Sequence, residues 1–177
     1  GAICSPGTTQ LAPNDIAYRI KAANAVCYVT DLDNASKLEE VAEQCETLKV
    51  RLLVGAQRDG WLGYDEVVDN ASSVFEVADT KFEEDALCYF TSGTTGYPKM
   101  TIHCHGYGLA HTITGKYWLD LSEGDLHWNI SDTGWAKAAY SSFFGPWITG
   151  ATLFVHHTPV FDPVKTLELL SKYPITT

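Results

Sequence analysis

The chain has 177 residues, 45% of them hydrophobic and 19% charged, a composition that is typical of a folded globular protein and excludes a disordered one. Twelve lysines and arginines against 22 aspartates and glutamates give a net charge of −10 without a basic cluster, which argues against nucleic acid or an anionic membrane as partner. Five scattered cysteines without a Cys-x-x-Cys pair argue against a disulfide framework or a zinc site and favour reduced thiols.

The first part of the chain alternates between helical and strand-like patterns. An asparagine–aspartate pair and the spacing of apolar residues predict a helix over residues 14–24, and the helical pattern returns over residues 34–45. Short apolar runs predict a buried strand over residues 25–30 and a second strand over residues 50–54, which Gly55 ends.

The middle of the chain is more polar. It predicts a loop over residues 56–63, a short helix over 64–72 and an irregular segment over 75–85. An apolar strand over residues 86–90 follows, and a loop rich in glycine and hydroxyl side chains comes directly after it.

The remainder continues the alternation of strands and helices, which predicts the α/β class, with a mostly parallel sheet flanked by helices. In such sheets, ligands bind at loops that leave the carboxyl ends of strands. The predicted elements are extended segments over 100–104 and 126–130, a helix over 111–118, an apolar helix over 135–147 that Gly145-Pro146 breaks, a strand over 152–156 and a helix over 163–172.

The loop after the strand at 86–90 has the composition of a polyphosphate-binding loop. Glycines let backbone N–H groups approach an anion, hydroxyls add rotatable donors, and a lysine supplies positive charge. Its glycines are too close together for the P-loop of NTPases, and an ordinary turn between strands is the plain alternative. The loop, here called the signature loop, reads Thr91-Ser92-Gly93-Thr94-Thr95-Gly96-Tyr97-Pro98-Lys99.

The signature loop resembles that of the adenylate-forming, or AMP-binding, superfamily. A second stretch is similar to the acetyl- and medium-chain acyl-CoA synthetase branch; it runs from Asp125 to Lys137 and includes Asp132-Thr133-Gly134-Trp135, followed by Phe144-Gly145-Pro146-Trp147. The resemblance extends over the whole chain, which corresponds to only part of a typical member.

This resemblance implies an ATP-dependent ligase. A fatty or aryl carboxylate would attack the α-phosphorus of ATP, and coenzyme A would then displace AMP from the acyl-adenylate. The residues Thr91 through Lys99 would contact the β- and γ-phosphates. The residues Gly134, Trp135, Ala136 and Lys137 would lie beside the acyl group; the alternatives are that Trp135 begins a buried helix and that Lys137 reaches into solvent.

The resemblance is incomplete. The chain lacks the family's stretch whose glutamate holds Mg²⁺, the aspartate that binds ribose, and the small carboxyl-terminal domain with its catalytic lysine. Residues 1–177 are therefore expected to be a partial AMP-binding domain, with no catalytic residue or metal ligand, inactive in isolation. His103-Cys104-His105 lacks a third ligand nearby, which argues against a metal site. The resemblance implies that His103 is a site-wall or packing residue, because a histidine shortly after the signature lysine is common in the family; His111 is interpreted as a packing residue.

Two other functions stay open: an amino-acid adenylation domain of a peptide synthetase, and a non-catalytic nucleotide-binding module. No stretch approaches ~18 consecutive apolar residues, and no signal or transit peptide is recognisable. We expect an intracellular protein, in the cytoplasm or the mitochondrial matrix, and both termini read as interrupted strands of a longer protein.

Overall fold

The computed structural model describes residues 1–92, 96–158 and 160–177, and the chain forms two compact units. Unit 1 comprises Gly1–Ala2, Thr9–Thr80 and Cys88–Ile102. Unit 2 comprises Ile3–Thr8, Lys81–Leu87 and His103–Thr177.

Unit 1 begins with helix α1, which spans Pro13–Ala23. Proline is favourable in the first turn, and the Ala12 N–H donates to the Asp15 carboxylate at 3.3 Å. The helix ends at Asn24, whose left-handed φ of 48° is a common helix terminus. The helix predicted over residues 14–24 is therefore confirmed, with its first turn one residue earlier.

A three-stranded parallel sheet forms the centre of unit 1. Strands β1 (Cys27–Asp31), β2 (Val50–Val54) and β3 (Leu62–Gly63) lie in that order, with Val29 opposite Leu52. The predicted strands at 25–30 and 50–54 are confirmed. Strand β3 was not predicted, because it has only two residues.

Helices cover one face of this sheet. Helix α2 (Leu32–Glu39) begins at Asp31, whose carboxylate accepts from the Asn34 N–H at 3.0 Å, and a 3₁₀ turn follows at Ala42–Gln44. The continuous helix predicted over 34–45 thus ends early. The core contains Ile16, Ala17, Ile20, Ala35, Leu38, Val41, Cys45, Leu53 and Trp61.

The expectation that the first strand is buried is wrong for one of its faces. Val29 is 50% exposed, whereas Tyr28 packs against the core. Successive side chains of a strand point to opposite faces, and the helical core takes only one of them. Helix α3 (Tyr64–Asp69) completes this part of unit 1 and confirms the short helix predicted over 64–72.

Strand β4 (Asp85–Thr91) and strand β5 (Lys99–Cys104) pair with each other and flank the signature loop. Both strands were predicted, at 86–90 and 100–104. Cys88 and Tyr89 are buried, so β4 is fixed by packing up to the residues just before the loop.

Unit 2 is built mainly from helices. Helix α4 (Tyr107–Ile113) continues into a π-helical turn at Thr114–Trp118, and strands β6 (Leu126–His127) and β7 (Thr152–Leu153) pair in parallel. Both strands are shorter than the predicted runs. Helix α7 spans Pro163–Lys172 as predicted, with the Asp162 carboxylate accepting N–H groups of its first turn.

The predicted break at Gly145-Pro146 is wrong. Helix α5 (Ala136–Ala139), a π-helical turn at Tyr140–Phe144 and helix α6 (Gly145–Thr149) follow one another without interruption. The Gly145 N–H donates to the Tyr140 carbonyl five residues earlier, so the wider turn accommodates a proline that has no N–H to donate.

Parallel pairing in two of the sheets, together with the covering helices, confirms the α/β class. The described residues form three small sheets, of three, two and two strands, instead of one large sheet. In the part of the chain described here, no helix has both the length and the apolar character needed to cross a membrane.

Candidate functional site

The signature loop lies in unit 1 and joins the paired strands β4 and β5. Ser92, Gly96, Tyr97 and Lys99 are all exposed, so their polar groups are accessible to a ligand. Gly96 has a φ of 111°, a backbone conformation that side chains with a Cβ rarely adopt. Three residues of the predicted phosphate site, Gly93, Thr94 and Thr95, lie outside the described residues.

The carboxyl-terminal arm of the loop is held by Tyr18 of helix α1. The Tyr18 hydroxyl donates to the Pro98 carbonyl at 2.9 Å, and the Tyr18 and Tyr97 rings stack with centroids 4.9 Å apart and planes 19° apart. The edge of the Tyr18 ring also meets Phe90 of β4, with centroids 6.1 Å apart. One side chain therefore contacts residues on both sides of the loop.

Arg19 adds positive charge behind the end of β4. Its guanidinium lies 4.8 Å from the centre of the Phe90 ring, in the geometry of a cation–π contact. Burial lowers the pKa of Arg19, an effect that the nearby Asp15 carboxylate opposes. Its Nε is buried and has no hydrogen-bond partner within the described part of the structure. The guanidinium nevertheless stays charged at neutral pH.

Sequence reasoning missed both Tyr18 and Arg19. They belong to no motif, and they lie beside the core positions Ile16, Ala17 and Ile20 of the same helix. The sequence shows only that a tyrosine and an arginine lie next to the apolar face of a predicted helix, and this pattern does not indicate a function.

The second predicted segment, Gly134 through Lys137, lies in unit 2, where a turn precedes helix α5. The Asp132 carboxylate organises this turn with both of its oxygens. Oδ1 accepts from the Gly134 N–H at 2.7 Å, and Oδ2 accepts from the Thr8 hydroxyl at 2.9 Å. The Trp135 N–H donates to the Asp132 carbonyl at 3.1 Å, so the turn leads directly into the helix.

Gly134 packs against backbone. A Cβ at this position would overlap the Thr8 nitrogen and the Gly7 carbonyl carbon. Because glycine has no Cβ, it permits a close approach, and in this structure the approaching group is the segment that contains Gly7 and Thr8.

Trp135 and Lys137 are both exposed, and the Trp135 side chain keeps 62% of its accessible surface. Trp135 has extended dihedral angles at the N-cap of α5, and Ala138 is the residue of that helix that is buried. Trp135 therefore begins helix α5, as one alternative held, but its own side chain is exposed, and the exposure of Lys137 agrees with the alternative that this lysine reaches into solvent. The indole of Trp135 presents a flat apolar surface. The backbone of the same residue is held by the Asp132 turn.

A row of rings continues from β5 into α4 within unit 2. His103 and Tyr107 have centroids 4.5 Å apart, Tyr107 and His111 4.4 Å, and His111 stacks on Tyr140 at 5.1 Å. His111 was expected to be a packing residue, and these contacts agree with that interpretation. Burial, with a smaller contribution from His103, lowers the pKa of His111.

A shallow groove of about 420 Å³ lies beside this row. Its lining residues are His111, Ile113, Thr114, Tyr117, Trp118 and Tyr140, all of unit 2. The His111 Nδ1 lies 3.0 Å from the Thr114 hydroxyl, which satisfies one nitrogen of the ring within its own helix.

His127 is a buried residue that sequence reasoning did not single out. Its Nε2 lies 2.7 Å from the Ser141 carbonyl oxygen, so this nitrogen carries the proton and donates. Its Nδ1 lies 3.0 Å from the Thr177 hydroxyl, which can donate to it. His127 thus ties strand β6 to the π-helical turn at Tyr140–Phe144.

Taken together, the fold and the signature loop define an α/β protein in which a glycine- and hydroxyl-rich segment joins two paired strands. Residues 1–177 match the protein family described as "AMP-binding enzyme", so the chain belongs to that family. The resemblance in the sequence is thereby confirmed.

Curated relatives agree. The chain is 47% identical to human acyl-coenzyme A synthetase ACSM3, mitochondrial, over 99% of this chain and 30% of that protein. It is 44% identical to the mouse acyl-coenzyme A synthetase ACSM4, mitochondrial, over the whole of this chain and 31% of that protein. The chain therefore spans about a third of the length of these relatives.

A solved structure shares the fold. The acyl-CoA synthetase of Brucella canis superposes with a TM-score of 0.86 at 27% identity, over 99% of this chain and 32% of that one. The anthranilate CoA ligase AuaEII, at 21% identity and a TM-score of 0.77 over 84% of this chain and 29% of that one, shows the fold alone.

Proposed function

We propose that this chain is part of the AMP-binding domain of an AMP-forming acyl-CoA synthetase. The complete enzyme activates a fatty or aryl carboxylate with ATP and transfers the acyl group to coenzyme A. The observation that carries the proposal is the signature loop between β4 and β5, where hydroxyl groups, Gly96 and the Lys99 side chain are exposed. The chain that carries this loop belongs to the AMP-binding family.

The chemistry requires two anions to meet, a carboxylate and the triphosphate of ATP. Lys99 and the charge of Arg19 supply positive potential locally, in a chain whose net charge is −10. The Ser92 hydroxyl and the backbone of Gly96 are suited to donate hydrogen bonds to the β- and γ-phosphates. Donors and charges fixed before the reaction stabilise the charge that develops during it.

Mg²⁺ would supply further charge neutralisation on the phosphates. The described residues contain no group of three or more histidine, cysteine, aspartate or glutamate side chains that could hold a metal ion. The family resemblance, and not this absence, implies that a glutamate ligand of Mg²⁺ and a catalytic lysine belong to the complete enzyme.

The segment from Gly134 to Lys137 is proposed to lie beside the acyl group. Support comes from the exposed indole of Trp135, which offers an apolar wall, and from the Asp132 turn that fixes its backbone. Lys137 is exposed at the start of the same helix and would face a carboxylate or gate the pocket.

Because the named relatives are mitochondrial, we also propose the mitochondrial matrix as the location.

The test is substitution of Lys99→Ala in the complete protein, with ATP–pyrophosphate exchange measured in the presence of butyrate, octanoate or benzoate. We expect the exchange rate to fall roughly 100-fold, because removing one fixed electrostatic contact typically costs that much. Lys49→Ala, at another exposed lysine of unit 1, is the matched control and should leave the rate unchanged.

Two outcomes would contradict the proposal. Exchange with amino acids but none of the three acids would indicate an adenylation domain of a peptide synthetase. Nucleotide binding without exchange under any of these conditions would indicate a non-catalytic module.

A further inference from the structure

We propose that Tyr18 is a positioning residue that fixes the backbone of Lys99 and thereby the point from which its ammonium reaches a polyphosphate. Tyr18 lies on helix α1, outside the signature loop. Its effect on ATP binding rests on the proposed function, whereas its effect on the backbone of the loop does not.

The peptide groups on both sides of Lys99 are hydrogen-bonded. The Pro98 carbonyl and the Lys99 N–H belong to one planar peptide unit, so a bond to the carbonyl oxygen also orients the N–H. The Tyr18 hydroxyl makes that bond at 2.9 Å. On the other side, the Lys99 carbonyl accepts from the Thr91 hydroxyl at 3.4 Å.

Tyr18 holds the same arm through a second, independent contact. Its ring stacks on Tyr97, whose side chain is 74% exposed and gains its packing at this face. Offset-stacked aromatic pairs stabilise a contact beyond the effect of the apolar area that they bury. The residue before Pro98 is therefore fixed by stacking, and Pro98 itself restricts φ.

Tyr18 is itself well placed to act as an anchor. It is half-buried on α1, the helix whose Ile16, Ala17 and Ile20 form part of the core of unit 1. Its ring edge also meets Phe90 at the end of β4. Tyr18 thus connects the backbone next to Lys99 to a packed helix and to the strand that precedes the loop. With that backbone fixed, the lysine side chain can still change its rotamer.

The kinetic test uses the complete protein and compares KM for ATP with KM for octanoate. Tyr18→Phe removes the hydrogen bond but keeps the stacking, and should raise KM for ATP by about two- to tenfold. Tyr18→Leu removes both contacts and should raise it by roughly ten- to hundredfold. KM for octanoate should stay within about twofold in both variants, a split that general destabilisation would not produce.

Tyr28→Phe is the matched control. Tyr28 is also a half-buried tyrosine of unit 1, and its ring meets Trp61 of the core, with centroids 6.4 Å apart. The control loses the same hydroxyl group without touching the signature loop, so KM for ATP should equal that of the wild type. Equal ATP affinities for Tyr18→Leu and Tyr28→Phe would overturn the inference.

A second readout does not depend on catalysis. Trypsin cleaves after Lys99, and cleavage under native conditions follows the population of the locally opened backbone. Tyr18→Leu should speed cleavage at Lys99 by about tenfold, with cleavage after Lys49 unchanged as an internal control. Unchanged cleavage at Lys99 would overturn the anchoring claim even in an active enzyme. Faster cleavage in a protein without exchange activity would support the anchor and contradict only the proposed function.

Discussion

The two segments proposed to bind substrate are held in place by different means. The arm of the signature loop before Lys99 is held by one side chain, Tyr18, through a hydrogen bond and a stacked ring. The turn before Trp135 is held by backbone packed on backbone at Gly134 and by both oxygens of Asp132. Contacts of the first kind weaken in steps when atoms are removed. Contacts of the second kind leave no space for any change of shape.

The largest effect is expected for Gly134→Ala, which tests the backbone contact directly. A Cβ would overlap the Thr8 nitrogen, and a backbone atom cannot rotate away as a flexible side chain can. We expect the free energy of unfolding, measured by urea denaturation of the complete protein, to fall by about 3 kcal/mol.

Gly63→Ala is the control for this substitution. The added Cβ would meet the Glu66 Cβ at 3.7 Å, an ordinary van der Waals distance, and the φ of Gly63 is −68°. Its cost should be at most about 1 kcal/mol, the usual range for a helix cap. Equal stabilities of the two variants would mean that the turn at Gly134 can move away from Gly7 and Thr8.

A smaller effect is expected for Asp132→Ala, which keeps the backbone packing but removes the carboxylate. The Gly134 N–H and the Thr8 hydroxyl would both lose an acceptor, and we expect a loss of about 1–2 kcal/mol in the same denaturation experiment because the site is exposed to solvent. Asp132→Asn retains one carbonyl oxygen for Gly134 and should lose about half as much. A loss for the asparagine variant as large as that for alanine would assign the stabilisation to the charge and not to the hydrogen bonds.

Local signals in the sequence predicted most of the helices and strands. Helix α7 has the predicted bounds, because Asp162 and Pro163 specify its start through contacts within one turn. The helix that continues through Pro146 was not predictable from local rules, because a π-helical turn is set by the packing around it. The shortened strands β6 and β7 have a similar cause, since the length of a strand depends on its pairing partner.

For the candidate site, too, the local features could be predicted from the sequence and the long-range contacts could not. The composition of the signature loop and its place after a strand were visible in the sequence, because both are local. The residues that hold the two segments were not. Tyr18 and Pro98 are 80 positions apart, and Thr8 and Asp132 are 124 positions apart. Contacts at such separations follow from the fold, and a single sequence does not display them.

The two regions also differ in the charged and titratable groups that they contain. In unit 1 the cationic residues at the signature loop and behind the end of β4 are Lys99 and Arg19. In unit 2 His111 is half-buried between Tyr107 and Tyr140, and burial, followed by the effect of His103, lowers its pKa below the ordinary value of 6.5. The ring row of unit 2 should therefore respond to pH as the pH falls below the ordinary pKa of a histidine.

The smallest effect is accordingly a change in the slope of stability with pH. The unfolded chain binds a proton at His111 near pH 6.5, and the folded chain does so only at lower pH, so the stabilising contribution is complete above 6.5 and is lost as pH falls through the folded pKa. The free energy of unfolding of the wild type should therefore fall more steeply from pH 7.5 to 5.5 than that of His111→Gln or His111→Phe. Both variants abolish the titration, while only phenylalanine keeps the stacking on Tyr140.

His103→Gln should reduce the slope partly, because it removes the smaller of the two causes. Parallel slopes for the wild type and both His111 variants would show that the ring of His111 is as accessible to protons in the folded protein as in the unfolded one.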